Sequence, residues 1–188
     1  MNLYNMLMAP LEALLLREMR AEIIPSAHGD VLEAGIGTGA NGRHYDYSRI
    51  SSLTGLDREL SPELRTLYPE EKFAFVRGDA ARIPFKAARF DFVVATLVLC
   101  TADCAKSLHE IVRVLKPGGR FLFIEHVRPR GTIGGTLCDA CNGAWTRFAR
   151  GCNLNRRTDA MLYRAGFADI SMKQRCEGVF IYGAAVKA

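Results

Sequence analysis

The sequence predicts an α/β domain: a doubly wound, mainly parallel sheet that ends in a C-terminal antiparallel hairpin. Three observations carry this expectation. Short apolar runs, among them Phe73-Ala74-Phe75-Val76, residues 90–97 and Phe121-Leu122-Phe123-Ile124, alternate with segments of helical periodicity, the pattern of strand–helix–strand units. An early apolar run, opening at Val31-Leu32, leads into a loop with glycine at every second position, Gly35, Gly37 and Gly39. The last two runs, 170–176 and 179–186, are joined by a segment containing Gly178, too short for anything but a hairpin.

The whole chain sets the bounds. Its 188 residues are 49% hydrophobic and 24% charged, which suits one globular domain spanning 1–188 with a core of its own. A dehydrogenase would need a second domain or long insertions, and there is little room for either. The net charge is +5, with Lys and Arg spread along the chain. The densest group, Arg147, Arg150, Arg156 and Arg157, reads either as a solvated face or as an attraction to acidic ligands or lipid headgroups. Six cysteines occur. Cys138 and Cys141 form a C-x-x-C, but no second ligand pair or neighbouring His completes a zinc spacing. The expectation is therefore small buried thiols, no metal, and a reducing cytoplasm.

Residues 3–22 read as helix, with Leu7, Leu11, Leu14 and Leu15 on one face; Pro25, Gly29 and Asp30 end it. Residues 1–25 thus form an N-terminal helix, packed on the sheet, closing over the site as a lid, or resting on a membrane as an amphipathic element. Met1-Asn2-Leu3 lacks a basic leader, and charges interrupt the apolar residues, so no secretion signal is expected. No run of about 18 apolar residues suggests a spanning helix.

Asp30 breaks what precedes it, and Val31-Leu32 start the first strand. Glycine in the loop that follows permits φ > 0 and leaves no side chain between backbone and ligand. A strand ending in such a loop and feeding a helix is a nucleotide-binding turn. Gly35, Gly37 and Ala40 also satisfy the dinucleotide pattern G-x-G-x-x-[G/A]. Glu33, two residues before the first glycine, argues against it: a carboxylate beside the crevice suits a positively charged group better than a pyrophosphate. No Lys follows as a Walker loop requires. The stretch Glu33-Ala34-Gly35-Ile36-Gly37-Thr38-Gly39 resembles motif I of the class I S-adenosylmethionine (SAM) methyltransferases. That resemblance implies a Rossmann-like fold, SAM as cofactor and S-adenosylhomocysteine as product, with Glu33 and Gly35, Gly37 and Gly39 holding the methionine moiety.

The remaining elements follow in order. A helix or irregular stretch carries His44 and Tyr45. Strand two is Ser52-Leu53-Thr54-Gly55-Leu56, with Asp57 at its end. The interval from the glycine loop is close to the ~20 residues expected for an acidic residue that accepts from both ribose hydroxyls; the bland alternative is a helix N-cap. Ser61-Pro62-Glu63 reads as a helix start. Strand three is 73–76, followed by Arg77-Gly78-Asp79-Ala80. The resemblance places Asp79 near the adenine amino group and the Ala80 N–H near a ring nitrogen; otherwise Asp79 is a turn residue. Ile83-Pro84-Phe85 resembles the family's L-P-F segment.

Strand four is 90–97, and its end, with Thr96, resembles motif IV, which faces the transferred methyl group. The Asn/Asp-Pro-Pro-Tyr sequence of nucleobase and amide methylation is absent, so a small or lipophilic acceptor is expected, and no nucleic acid. Leu108, Ile111, Val112 and Leu115 mark a helix over 105–115, stopped by Lys116-Pro117-Gly118-Gly119. Strand five, 121–124, runs into Glu125-His126-Val127. The series Leu115–Phe121 is typical of SAM methyltransferases. Helices are expected at 137–150, carrying Trp145, and at 158–165, closed by Gly166.

A narrower resemblance rests on Gly37-Thr38-Gly39-Ala40-Asn41, Thr96-Leu97-Val98-Leu99-Cys100, Glu125-His126-Val127, Gly151-Cys152-Asn153-Leu154 and Ile181-Tyr182-Gly183-Ala184-Ala185-Val186-Lys187. Within the methyltransferase type 11 group these are similar to the methyltransferase-like proteins that act as alkyl thiol S-methyltransferases. The resemblance implies methyl transfer to a small lipophilic acceptor, best read as a thiol. His126 is the candidate catalytic residue, accepting or orienting the acceptor's proton; a His capping a strand end is the bland reading. Tyr4 and Trp145 are candidate substrate contacts. A carbon or oxygen acceptor on a quinone-like or phenolic lipid, a phospholipid headgroup nitrogen, and a ligand-binding role without catalysis remain the rival readings. No obligate protein partner is implied; membrane contact, where it occurs, would be peripheral and through the N-terminal helix.

Overall fold

The computed structural model describes residues 15–149 and 151–188; Tyr4, Arg150 and most of the predicted N-terminal helix lie outside them. Helix α1 (Arg17–Ile23) leads through a 3-10 turn at Ile24–Ser26 into strand β1 (Gly29–Ala34). Then follow β2 (Ile50–Asp57), the one-turn helix α2 (Leu64–Leu67), β3 (Phe73–Arg77) and β4 (Phe90–Thr96). Helix α3 (Cys104–Val114), β5 (Leu115–His126), α4 (Thr132–Phe148), α5 (Thr158–Arg164), β6 (Phe167–Arg175) and β7 (Phe180–Lys187) complete the chain.

The seven strands form one sheet in the order β3-β2-β1-β4-β5-β7-β6. The first five are parallel, and β7 runs antiparallel to both β5 and β6. Successive strand residues face opposite sides, so each strand serves two cores. On one side Val93, Ala95, Phe121 and Phe123 pack with Leu108, Ile111 and Val114 of α3 and Leu162 of α5. On the other, Phe92, Val94 and Leu122 meet Ile24, Tyr45 and Leu64, while Leu16 and Met19 at α1 cover Ile124 and Tyr182. Glu22 of α1 ties it to the hairpin, accepting from Tyr182 Oη (2.9 Å) and Lys173 Nζ (2.5 Å). Asp103 caps α3, accepting from the Lys106 N–H.

Four local expectations need correction. Asp30 lies inside β1: its N–H donates to Asp91 Oδ2 (2.8 Å), and its carboxylate accepts from Ser52 Oγ and pairs with Arg89. Those partners satisfy a residue type that usually ends strands. Lys116-Pro117-Gly118-Gly119 does not separate α3 from β5; it is a bulge within the strand. Phe90 pairs with Leu115 but Phe92 with Arg120, so four residues of β5 stand opposite Asp91 alone. Gly118 takes φ +73°, and Lys116 Nζ reaches back to both oxygens of Asp91 (2.9 Å each). The glycine loop feeds only a 3-10 turn, Gly42–His44, because side chains there are drawn inward to Glu33, as described below. The cysteines are not uniformly buried: Cys100, Cys104 and Cys152 are, whereas Cys141 and Cys176 are exposed. No helix among the described residues is long and apolar enough to cross a membrane.

Candidate active site

In a parallel sheet the carboxyl ends of the strands share one edge, and the crevice there is where α/β folds bind ligands. Asp57 ends β2, Thr96 ends β4 and His126 ends β5. Two neighbouring cavities open along this edge.

The first, about 340 Å³, is bordered by Gly35, Gly37, Asp57, Asp79, Ala80 and Thr96, with Leu97 and Thr101 on its far wall. Six of the residues expected to hold cofactor therefore border one space. Gly35 (φ +75°) turns the chain sharply; its N–H and that of Ile36 both donate to the Leu56 carbonyl (2.7 and 3.1 Å). A Cβ on Gly35 would lie 2.3 Å from Val98 Cγ2, whereas one on Gly37 would meet nothing within 4 Å among the described residues. The loop backbone at Gly37 thus borders open space. Asp57 Oδ2 accepts from the Gly37 N–H (2.8 Å), and Asp79 Oδ1 from the Ala81 N–H (2.8 Å). Each carboxylate keeps lone pairs for a ligand's donors.

Glu33 and Gly39 do not border the cavity. Gly39 (φ +83°) is buried where a Cβ would press on Leu64, Leu67 and Tyr68 at 2.9–3.0 Å, so its role is close packing. Glu33 is 2% exposed. Its Oε1 accepts from Asn41 Nδ2 (2.9 Å), and its Oε2 accepts from Tyr45 Oη (2.8 Å) and Tyr68 Oη (3.3 Å). Asn41 Oδ1 accepts from Arg20 Nε (2.8 Å), and Asn41 Nδ2 also reaches Thr96 Oγ1 (3.1 Å). Burial pushes the Glu33 carboxyl up to about 7, against the pull of Tyr45, Asn41, Tyr68 and Arg20. Glu33 thus anchors the glycine loop from behind. Asn41, the link between Glu33 and Thr96, was visible in the sequence only as part of a family-like segment.

The second cavity, about 180 Å³, lies at the end of β5 and shares Leu97 and Thr101 with the first. His126, Trp145, Cys100 and Cys152 border it, with Leu154 and Phe180 among its apolar walls. His126 Nε2 lies 2.7 Å from Cys152 Sγ. Burial favours the neutral imidazole, but contact with Cys152 and the charge of Glu125 outweigh it and raise the His126 pKa. Hydrogen bonding from Cys100 draws the Cys152 thiol down despite burial, with His126 adding to the pull. The buried Trp145 indole N–H adds to the pull on the Cys152 thiol.

Glu125, fully buried, was not singled out by sequence. Its Oε1 accepts from the N–H groups of Val98 and Leu99 (2.8 Å each), and its Oε2 from that of Cys100 (3.3 Å). It thereby fixes the turn after β4. Leu97, at the head of that turn, takes φ +56°, a left-handed conformation uncommon for a branched side chain. Arg156 braces the same segment from below, donating to the carbonyls of Leu99 and Ala102. One wall thus serves both cavities, held by the buried Glu125 and the half-buried Arg156.

Comparison with known proteins agrees with this geometry. Residues 32–123 match the family described as Methyltransferase domain. Human thiol S-methyltransferase TMT1B is 33% identical over 173 residues, covering 85% of this chain and 70% of that protein. Human thiol S-methyltransferase TMT1A is 30% identical over 181 residues, covering 91% and 73%. Among solved structures, a SAM-dependent methyltransferase from Thermotoga maritima, described as a possible histamine N-methyltransferase, superposes with a TM-score of 0.69 at 19% identity, over 98% of this chain and 93% of that one. A putative methyltransferase from Haloferax volcanii, solved with its Trm112 activator, gives 0.72 at 18% identity, over 97% and 93%. The chain belongs to the class I SAM-dependent methyltransferases and, within them, is similar to the thiol S-methyltransferases.

Proposed function

We propose that this methyltransferase transfers the methyl group to a small lipophilic thiol. The observation that carries the reading is the second cavity: apolar, sharing Leu97 and Thr101 with the cofactor cavity, and bearing His126 on its wall. The similarity to thiol S-methyltransferases over most of the chain supports it.

The first cavity suits SAM by its donor set. Two carboxylates, Asp57 and Asp79, stand at the ends of neighbouring strands, matching the donors of a ribose diol and an adenine amino group. When bound, SAM supplies a methyl group already activated by sulfonium charge. The chain's own task is then positioning, a contribution worth ~7–11 kcal/mol in favourable cases. In this reading Asp57 accepts from the ribose hydroxyls, Asp79 from the exocyclic amine, and the Ala80 N–H donates to the ring. Glu33 and Asn41 keep the glycine loop in place, and Glu125 keeps the wall between the cavities rigid. The apolar second cavity excludes water from a thiolate and a sulfonium whose charges cancel as the bond forms. His126 contacts and orients the acceptor sulfur.

The test is release of S-adenosylhomocysteine from purified protein and SAM, with and without a small alkyl thiol. Thiol-dependent release is expected. Release with quinone-like, phenolic or headgroup-amine acceptors but not with thiols, in protein that binds SAM, would overturn the thiol assignment.

A further inference from the structure

Cys100, His126 and Cys152 come from three separate segments: the turn after β4, the end of β5 and the stretch after α4. Their ligand atoms, two sulfurs and an imidazole nitrogen, all lie within 4.8 Å of one another. Among the described residues this is the cluster of such groups suited to a metal ion, and it borders the second cavity. We propose that Cys100 Sγ, His126 Nε2 and Cys152 Sγ form a Cys2His site for a zinc-class divalent cation, whose fourth position faces the cavity and takes the acceptor sulfur. The acceptor part of this inference rests on the thiol reading above; the metal site stands apart from it.

Ligand chemistry and geometry both favour it. Two sulfurs and an imidazole select zinc-like ions, and no carboxylate is present to suit calcium or magnesium. Tetrahedral zinc has Zn–S near ~2.3 Å and Zn–N near ~2.0 Å, which sets the ligand atoms roughly 3.5–3.8 Å apart. The three ligand atoms lie within 4.8 Å of one another, compatible with that spacing. The His126–Cys152 contact of 2.7 Å must open by roughly 1 Å, a side-chain rotation, to admit the ion. Three protein ligands leave one tetrahedral position open, as in catalytic rather than structural zinc sites. The void beside them, walled by Leu97, Trp145 and Leu154, is where a fourth ligand has room.

The step balances without a further reactant. The acceptor R–SH coordinates through sulfur, and its proton is released to solvent. A lone pair of the bound thiolate forms the new S–CH3 bond. The methyl–sulfonium bond breaks with its electrons returning to the SAM sulfur, leaving S-adenosylhomocysteine. The product thioether is a weaker ligand than a thiolate and leaves the site.

The experiment is a cobalt titration of the full chain carrying Cys138→Ser, Cys141→Ser and Cys176→Ser, reduced and stripped with a chelator. Those substitutions remove the thiols outside the buried set. Expected is one equivalent of Co²⁺, with a thiolate-to-cobalt charge-transfer band and tetrahedral visible bands. The charge-transfer band should fall by half or more in Cys100→Ser and Cys152→Ser, and survive in Cys104→Ser. Each variant's fold is checked by SAM binding. Where a serine variant fails to fold, His126→Asn supplies the comparison, its visible bands being altered or lost. Addition of ethanethiol should shift the visible bands of the parent protein. Absence of the band in protein that binds SAM overturns the metal site, even where thiol-dependent turnover is intact. A Cys100–Cys152 disulfide that persists under reductant overturns it as well. A full band that ethanethiol leaves unmoved, with no thiol-dependent turnover, upholds the metal site while the acceptor role and the thiol reading fall together.

Discussion

Replacing Glu33 with Gln should remove a large part of the protein's pH-dependent stability between pH 5 and 8. Glu33 is fully enclosed, and burial raises its carboxyl from 4.5 to about 7. A folded-state pKa above the unfolded one means that the folded protein holds the proton more tightly. The resulting stability is complete below 4.5 and is lost as the pH rises through about 7. At roughly 1.4 kcal/mol per pKa unit, the gap amounts to about 3 kcal/mol in total, most of which is lost between pH 5 and pH 8. Glutamine keeps the size and an acceptor oxygen for Asn41, and the Tyr45 and Tyr68 hydroxyls can rotate to accept from its amide. It does not titrate. Urea unfolding of both proteins at pH 5, 6, 7 and 8 gives the stability difference at each pH, and titrating groups remote from Glu33 cancel in it. Wild type should lose about 2–3 kcal/mol relative to the variant over the range. A difference constant within about 0.5 kcal/mol would mean that Glu33 ionises at no cost, and the account of a buried carboxyl anchoring the loop would fail.

Three further perturbations address the site. Asp57→Ala removes the acceptor at the end of β2; SAM affinity measured by calorimetry should fall by roughly 10–150-fold, the loss expected for hydrogen bonds to a charged group of about 1.5–3 kcal/mol. Gly35→Ala forces a side chain into a left-handed turn at φ +75° and onto Val98 at 2.3 Å; the backbone cost alone is about 1–2 kcal/mol, read as a lower urea midpoint together with weaker SAM binding. His126→Phe keeps the cavity wall apolar but removes the ring nitrogens. Turnover should drop with SAM binding unchanged, and unaltered turnover would take His126 out of the mechanism.

Much of the edge was legible because a parallel sheet has simple geometry. Once the apolar runs were recognised as parallel strands, whatever followed each run had to fall on one side, so Asp57, Asp79 and Thr96 converge on one cavity. The hairpin was equally legible: β6 and β7 are joined too tightly for any crossover. Glu33 shows where this logic stops. Its position at the end of β1 follows from the pattern, but its side chain turns to Asn41, Tyr45 and Tyr68. Those partners lie 8, 12 and 35 residues away, and no local periodicity reports them.

The sequence by itself determined the fold class and the line of strand ends that builds the cofactor cavity, because these depend on short-range pattern: periodicity two or 3.6, glycine where φ is positive, carboxylates after strands. That pattern also fits a dinucleotide, and SAM was indicated by the resemblance of residues 33–39 to motif I. The tertiary structure alone decided what stands beside that cavity. Cys100 and Cys152 are 52 residues apart, with His126 between them, and they meet because β4 and β5 are neighbours in the sheet and Gly151-Cys152-Asn153 folds back over the turn after β4, the Asn153 N–H donating to the Cys100 carbonyl. A search for metal ligands by spacing looks for pairs close in sequence, and the C-x-x-C of α4 is such a pair. The cluster that assembles is instead made by long-range packing, a property of the whole sheet and not of any single stretch of the chain.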